Sequence, residues 1–371
     1  MLIRCRARFV EQSNRFSCNP DQGMIQQLIS QTREENKENK MKLNRRSRVN
    51  MLILISLATI ALVIVLMNNA QKRDEAFDEP YHPFISEEAK QEYLAFYDEH
   101  AESWPVDSDT LMVPTSFGET FVRISGPENG QPLVLLAGDS ENSLAWIPQI
   151  EALSKDYRVY AVDNIYDNGR SVYSRPIEKP EDYVKWLDDL FIELGLENIN
   201  LVGFSYGGWQ AAMYAFEHPE RLNKLVLISS HGGVNPRIEV MVRGMTYYLF
   251  PTETRVKNYI YWFLPDATAN EESKPVVDDM VAATYLSFQT FKRRSFVNPT
   301  VFNDEDWQNL AVPTLYMMGE NDVMFSAEKA TSHLNEVAPD IQTMVTSDAG
   351  HDITFIKSDW VNEQILLFFE E

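Results

Sequence analysis

The pentapeptide Gly203-Phe204-Ser205-Tyr206-Gly207 contains the residue best placed for chemistry. An apolar stretch ending in Leu201-Val202 precedes it, and residues 209–216 have helical composition. A serine at a sharp turn from strand to helix is held in a strained conformation that exposes its hydroxyl, and the residues two before and two after it must be very small. The sequence therefore predicts Ser205 as a nucleophile, with an ordinary turn serine as the alternative.

A serine hydroxyl needs a base within hydrogen-bond reach and a carboxylate that orients the base. His351 follows the strand predicted at residues 342–346, and Asp322 follows the strand predicted at 314–318. Both residues are therefore expected at the carboxyl edge of a parallel sheet, together with Ser205. Glu320 is the main rival of Asp322.

The elements that must position these residues alternate between strand and helix. Apolar or alternating runs predict strands at 111–113, 120–124, 132–137, 157–162, 199–204, 225–228, 314–318 and 342–346. Helices are predicted at 86–100, 146–153, 182–194, 207–217, 327–337 and 360–369. This order indicates a mostly parallel α/β sheet with right-handed crossovers. Residues 232–300 interrupt it with helical, aromatic-rich sequence, which we name the cap.

From about residue 104 to the C-terminus the chain resembles the α/β-hydrolase superfamily. The resemblance rests on the pentapeptide, on VPTLYMMGEND before the acid, on AGH at the histidine and on EHPERLNKLVLIS after the serine's helix. It implies an α/β-hydrolase fold with an inserted helical cap and acyl transfer to Ser205 by an esterase- or lipase-like enzyme. The chain order Ser205, Asp322, His351 fits that family. No metal or organic cofactor is implied.

The resemblance also implies an oxyanion hole made of two backbone N–H groups. One is expected from Tyr206 and the other from Asp139, in the loop after the strand at 132–137. The family usually has His-Gly-x in this loop, whereas this chain has Ala137-Gly138-Asp139. Gly138 preserves the turn, so the hole is expected to survive the change.

The aromatic cluster of the cap has two interpretations. Packing of the cap helices on each other and on the core is one, because most aromatic side chains are buried for that reason. The other is an apolar pocket for the acyl or aryl group of a substrate, formed by Tyr247, Tyr248, Trp262 and Phe263. Lys292-Arg293-Arg294 follows the cluster and is expected on a solvated helix face, with contact to an anionic substrate as the alternative.

Charge is distributed unevenly along the 371 residues, whose net charge is −22. Residues 1–77 contain 13 basic and 7 acidic side chains, which leaves 20 basic and 48 acidic ones in the remainder. We name residues 78–371 the body. Its excess of acidic side chains repels the phosphate backbone, which excludes nucleic-acid binding. The only cysteines are Cys5 and Cys18, so the body has no thiolate nucleophile, disulfide or cysteine-ligated metal.

Residues 51–67 form an uncharged apolar run preceded by Lys40, Lys42, Arg45, Arg46 and Arg48. We predict a transmembrane signal-anchor at 49–68, with residues 1–48 in the cytosol and the body outside the cell membrane. A cleaved signal peptide and a secreted body are the alternative. Residues 69–103 are predicted as a stalk and 104–371 as the catalytic domain. A further hypothesis is that translation starts at Met41, which N-terminal mass spectrometry of native protein would test.

These features predict a membrane-anchored serine hydrolase, most simply a carboxylesterase acting on small or medium acyl esters. An amide-, peptide- or lactone-cleaving enzyme is the alternative within the fold, and Glu141 or acidic residues of the cap are candidates to hold the free amine of a peptide. A non-catalytic surface binding protein is the alternative outside enzymes. The sequence does not define the oligomeric state.

Overall fold

A computed structural model describes residues 83–294 and 296–371 of the chain. The predicted cytosolic segment 1–48, the predicted anchor 49–68 and the first part of the predicted stalk lie outside these residues. Within the described part, no helix is both long and apolar enough to cross a bilayer.

The described residues contain a nine-stranded sheet with the order β1-β2-β4-β3-β6-β7-β8-β9, in which the short β5 pairs with β2. The strands are β1 Asp109–Thr115, β2 Gly118–Ser125, β3 Gln131–Leu136, β4 Tyr157–Val162, β5 Val172–Tyr173, β6 Ile199–Phe204, β7 Leu222–Ile228, β8 Thr314–Gly319 and β9 Gln342–Thr346. In this spatial order, every neighbouring pair from β4 through β3, β6, β7 and β8 to β9 is parallel. Strand β2 is antiparallel to β1, β4 and β5. Strands β6 and β8 are buried along their whole length, as expected for central parallel strands covered on both faces.

Helices cover both faces of this sheet. They are α1 Glu87–Ala101, α2 Ile147–Leu153, α3 Pro180–Glu193, α4 Ser205–Glu217, α5 Ile238–Leu249, α6 Glu253–Phe263, α7 Pro265–Ala269, α8 Lys274–Thr290, α9 Asp304–Gln308, α10 Ala327–Val337, α11 Ile353–Ile356 and α12 Ser358–Glu370. One apolar core joins α3, α4 and α10 to the sheet, and a second joins α2 and α12 to its other face. The predicted α/β fold with a mostly parallel sheet is confirmed.

Helices α5 to α8 lie within the cap segment, between β7 and β8. They have an apolar core of their own, which includes Val256 and Ile260 of α6 and Val277 and Val281 of α8. The cap is therefore a helical layer that holds itself together rather than a loose loop.

The described part of the predicted stalk belongs instead to the folded domain. Ser86 accepts a hydrogen bond from the Ala89 N–H and so caps the N-terminus of α1. The helix buries Tyr93 and Tyr97 in an apolar cluster with Phe121 of β2. For residues 83–103 the prediction of a stalk was wrong, because the acidic residues there lie on the outer face of an amphipathic helix.

Tyr97 provides a test of this packing. Its ring is 2% exposed, and its hydroxyl lies 2.9 Å from Ser143 Oγ and 3.3 Å from Asp163 Oδ1. We expect Tyr97→Ala to lower the free energy of unfolding by about 3–5 kcal/mol, the usual cost of deleting a buried aromatic side chain. Urea denaturation is the measurement, and the exposed Glu92→Ala on the same helix is the control. Equal stability of the two variants would contradict the docking of α1.

Candidate active site

Ser205 lies at the junction of β6 and α4, where the backbone must turn sharply. Its φ is 50°, in the left-handed region that non-glycine residues rarely adopt. A Cβ on Gly203 would meet the carbonyl oxygen of Gly207 at 2.4 Å, and one on Gly207 would meet that of Leu136 at 2.3 Å. Both glycines are therefore required sterically, which is the condition for a strained strand-to-helix turn that exposes a serine hydroxyl.

The structure brings Ser205, His351 and Asp322 together. His351 Nε2 lies 2.9 Å from Ser205 Oγ, and His351 Nδ1 lies 2.9 Å from Asp322 Oδ2. With a proton on Nδ1, the imidazole donates to Asp322 and accepts from the serine hydroxyl. All three side chains are almost completely buried.

The loop after β8 places Asp322, and not Glu320, next to His351. Asp322 Oδ1 accepts hydrogen bonds from the N–H groups of Met324 and Phe325, which fix the carboxylate with Oδ2 toward the imidazole. Glu320 follows the same strand but is exposed. Asp352, next to the histidine, accepts hydrogen bonds from the N–H groups of Gly350 and of Ala267 in α7. It therefore connects the cap to the loop after β9.

Two histidines near this site have opposite pKa shifts. Burial lowers the pKa of His351, but Asp322, Glu141 and Asp352 outweigh this effect, and the pKa is raised overall. Burial, together with repulsion from His351, lowers the pKa of His231 to about 3. The His231 imidazole is therefore neutral at ordinary pH. The His231 backbone N–H donates to the Ser205 carbonyl oxygen at 3.3 Å.

The loop after β3 presents the N–H group predicted for the oxyanion hole. The Gly138 N–H donates to Glu141 Oε2 at 2.9 Å, and the Ser140 N–H donates to Asp167 Oδ2 at 3.0 Å. No protein acceptor for the Asp139 N–H is found among the described residues. Glu141 and Asp167 thus accept from the N–H groups on either side of Asp139, and the Asp139 N–H has no protein acceptor among the described residues. The Tyr206 N–H is in the first turn of α4, where N–H groups lack an intrahelical partner.

Arg294 reaches this loop from the end of the cap, which contradicts its prediction on a solvated helix face. Its guanidinium is 17% exposed, pairs with Asp167 and lies 3.5 Å from Asp139 Oδ1. It also donates to Asn168 Oδ1 at 3.1 Å. This link could not be predicted, because Arg294 and Asp167 are far apart in the chain and Arg294 stands in a run of basic residues.

The four predicted pocket residues occupy different parts of the cap. The Phe263 ring is 4.9 Å from the His351 ring, at the site. Tyr247 stacks on Tyr259 at 4.3 Å, and the Tyr248 hydroxyl donates to the Arg294 carbonyl oxygen at 3.2 Å. Trp262 packs under the guanidinium of Arg243 at 4.4 Å. Phe263 is thus the member that contacts the triad, while the others hold the cap together.

Glu141 is a titratable group whose place in the site the sequence did not define. Burial raises its pKa to about 7, although the Gly138 N–H and His351 oppose this shift. When ionised, its negative charge raises the pKa of His351.

We expect Glu141→Gln to move the acidic limb of kcat/KM to lower pH. The glutamine keeps an acceptor for the Gly138 N–H but removes a negative charge, so the pKa of His351 falls and the neutral base forms at lower pH. The pH profile of ester hydrolysis measures this shift, with the exposed Glu151→Gln as control. We expect kcat at pH 8 to remain within about tenfold of wild type, because the loop keeps its hydrogen bond. An unchanged limb would show that Glu141 does not act on His351.

No group of three His, Cys, Asp or Glu side chains in the described ranges is arranged to hold a metal ion.

The comparisons with known proteins agree with this geometry. A family model described as the alpha/beta hydrolase fold matches residues 131–358. The chain belongs to the α/β-hydrolase family. The matched segment includes Ser205, Asp322 and His351, and the resemblance inferred from the sequence is confirmed.

Proteins similar to this chain include carboxylesterases. Carboxylesterase YbfK of Bacillus subtilis (strain 168) is 30% identical over 295 residues, which are 77% of this chain and 96% of the relative. A second protein of that strain, described as uncharacterized carboxylesterase nap, is 31% identical over 75% of this chain and 92% of its own length. The crystal structure of naproxen esterase (carboxylesterase NP) from Bacillus subtilis has a TM-score of 0.70 at 28% identity, covering 77% of this chain and 99% of that one. The prediction that this α/β-hydrolase is a serine hydrolase is confirmed by these matches.

Proposed function

We propose that this protein is a membrane-anchored carboxylesterase that cleaves small or medium acyl esters through an acyl-enzyme intermediate. The observation that carries the proposal is the hydrogen-bonded chain Ser205–His351–Asp322. Similarity to carboxylesterases over three quarters of the chain supports the choice of an ester as substrate.

In this mechanism the Ser205 oxygen attacks the ester carbonyl carbon while its proton passes to His351 Nε2. Asp322 stabilises the imidazolium and holds the productive tautomer. The imidazolium then protonates the departing alkoxide, and the alcohol leaves with the acyl group on Ser205. Water attacks the acyl-enzyme with His351 as base, which releases the carboxylic acid and restores the serine.

The oxyanion of each tetrahedral intermediate would be held by the N–H groups of Asp139 and Tyr206. The occupied N–H groups on either side of Asp139 support this assignment, since they fix the loop around it. The positive end of the α4 dipole adds to the stabilisation at Tyr206. The carboxylate of Asp139 lies near Arg294, whose charge offsets its repulsion of the oxyanion.

The membrane anchor is the second part of the proposal. The apolar run at 51–67 and the preceding basic residues support a single-pass segment at 49–68 with the catalytic domain outside. Resistance of the full chain to alkaline carbonate extraction from membranes tests the anchor. Release of an intact full-length chain into the soluble fraction would overturn it.

The activity is tested with the full chain in mild detergent on p-nitrophenyl esters from acetate to laurate and on matched p-nitroanilides. The proposal expects ester hydrolysis with a maximum at short or medium chain length. Faster cleavage of aminoacyl anilides would favour the amide-cleaving alternative. A folded protein that binds these compounds but cleaves neither the esters nor the anilides would favour the binding-protein alternative.

A further inference from the structure

Helix α5 presents an apolar face to the outside of the cap. Ile238, Met241, Val242 and Met245 are 72%, 53%, 57% and 36% exposed. They occupy positions i, i+3, i+4 and i+7, so they form one continuous stripe along the helix.

The inner face of the same helix is already packed. Val240 is 4% exposed, and Tyr247 stacks on Tyr259 of α6. A Cβ on Gly244 would lie 3.4 Å from the Tyr259 hydroxyl oxygen, so the two helices are in close contact there. The outer stripe is therefore a second apolar face with no partner among the described residues.

The described chain begins on the cap, the layer that contains this stripe. The Ile85 N–H donates to the Thr290 carbonyl oxygen at 2.9 Å, and the Lys292 N–H donates to the Pro83 carbonyl oxygen at 3.0 Å. These bonds attach the first described residues to the end of α8. Residues 69–82, between the proposed anchor and Pro83, span at most about 50 Å when extended. The linker that follows the proposed anchor therefore joins the domain at its cap.

The part of the cap that contains α5 is less acidic than the body as a whole. Residues 237–257 contain four basic and two acidic side chains, whereas the chain after residue 77 has 20 basic and 48 acidic ones. Arg237 at the start of α5 and Arg243 on its polar face are exposed, and Arg243 pairs with Glu239 at 2.8 Å and packs on Trp262. An apolar helix face with arginines on the polar side of the helix is typical of helices that lie in the interface of an anionic bilayer.

We propose that the outer stripe of α5, formed by Ile238, Met241, Val242 and Met245, docks on the surface of the bilayer to which the chain is anchored. The proposal rests on the anchor proposed above and adds a second, peripheral contact. A bilayer fits the stripe better than a second copy does, because four side chains on one helix fall short of the roughly 800 Å² per partner that a stable protein interface buries.

The test uses the full chain in vesicles of phosphatidylethanolamine and phosphatidylglycerol, with Cys5 and Cys18 replaced by serine. An environment-sensitive fluorophore is attached to Met241→Cys, and Met112→Cys is the matched control because Met112 is 42% exposed on β1. We expect doxyl-labelled lipids to quench the probe at 241 and not at 112. Ile238→Glu with Val242→Glu should weaken the membrane contact on the order of 100-fold and abolish quenching. Hydrolysis of p-nitrophenyl acetate by that variant should equal wild type, which shows that it folds.

Each other outcome contradicts the docking. No quenching at 241 in a chain that resists carbonate extraction would overturn the docking and leave the anchor. A chain that is extracted and unquenched would overturn both, while its ester hydrolysis would report on the triad separately. A change of probe emission that occurs without lipid and grows with protein concentration would identify a second copy as the occupant.

Discussion

Replacement of Ser205 by alanine is expected to abolish ester hydrolysis. The loss of kcat should be on the order of a million-fold, as found where the nucleophile of such a triad is removed. The reason is that the Oγ atom, 2.9 Å from His351 Nε2, is the group that forms the acyl bond. The initial rate with the best p-nitrophenyl ester is the measurement.

Ser347→Ala provides the control for this substitution. Ser347 is exposed in the loop after β9, four residues before His351. Its replacement should leave kcat unchanged. Because alanine fits the space of serine and has the same backbone strain at a φ of 50°, Ser205→Ala should unfold at about the temperature of wild type. Full activity in Ser205→Ala would contradict the role of this residue.

Replacement of Asp322 by asparagine is expected to lower kcat by about 10,000-fold. The amide can donate to His351 Nδ1, which places the proton on Nε2 and removes the acceptor that Ser205 needs. Asparagine keeps an oxygen for the N–H groups of Met324 and Phe325, so the loop should retain its structure. Glu320→Gln, at an exposed position, is the control and should have wild-type kcat.

The pH profile separates this electrostatic effect from a merely structural one. Asp322 is the main group that raises the pKa of His351 against the effect of burial. In Asp322→Asn burial dominates, as it does at His231, and the pKa of His351 should fall. The residual activity should therefore rise with pH through a lower midpoint than in wild type. A midpoint at the wild-type pH would show that Asp322 does not set the charge of the base.

The sheet and the site could be predicted because their constraints are local in sequence. Strands β3, β6, β7 and β8 are rich in apolar residues, and the bounds predicted for them agree with the structure to within a few residues. The two glycines around Ser205 mark the tight turn by steric need alone. His351 and Asp322 each follow a strand directly, so topology brings them to the edge where Ser205 lies.

The features missed depend on contacts between distant segments. Because α1 is rich in acidic residues, its composition did not predict that Tyr93 and Tyr97 pack it against β2. The pairing of Arg294 with Asp167 joins the cap to the loop after β4, and nothing near either residue indicates the other. The raised pKa of Glu141 arises from burial, which only the folded chain provides. Aromatic composition located the cap but did not show that Phe263 is the residue at His351.

Labelling of the full chain with a fluorophosphonate tests the central claim most directly. Only a serine activated by a base and facing an oxyanion hole reacts at a useful rate, and no substrate needs to be known. We predict a single adduct on the tryptic peptide that contains Ser205, absent from Ser205→Ala and slowed in Asp322→Asn. A folded wild-type protein that remains unlabelled, or is labelled on another serine, would contradict the account.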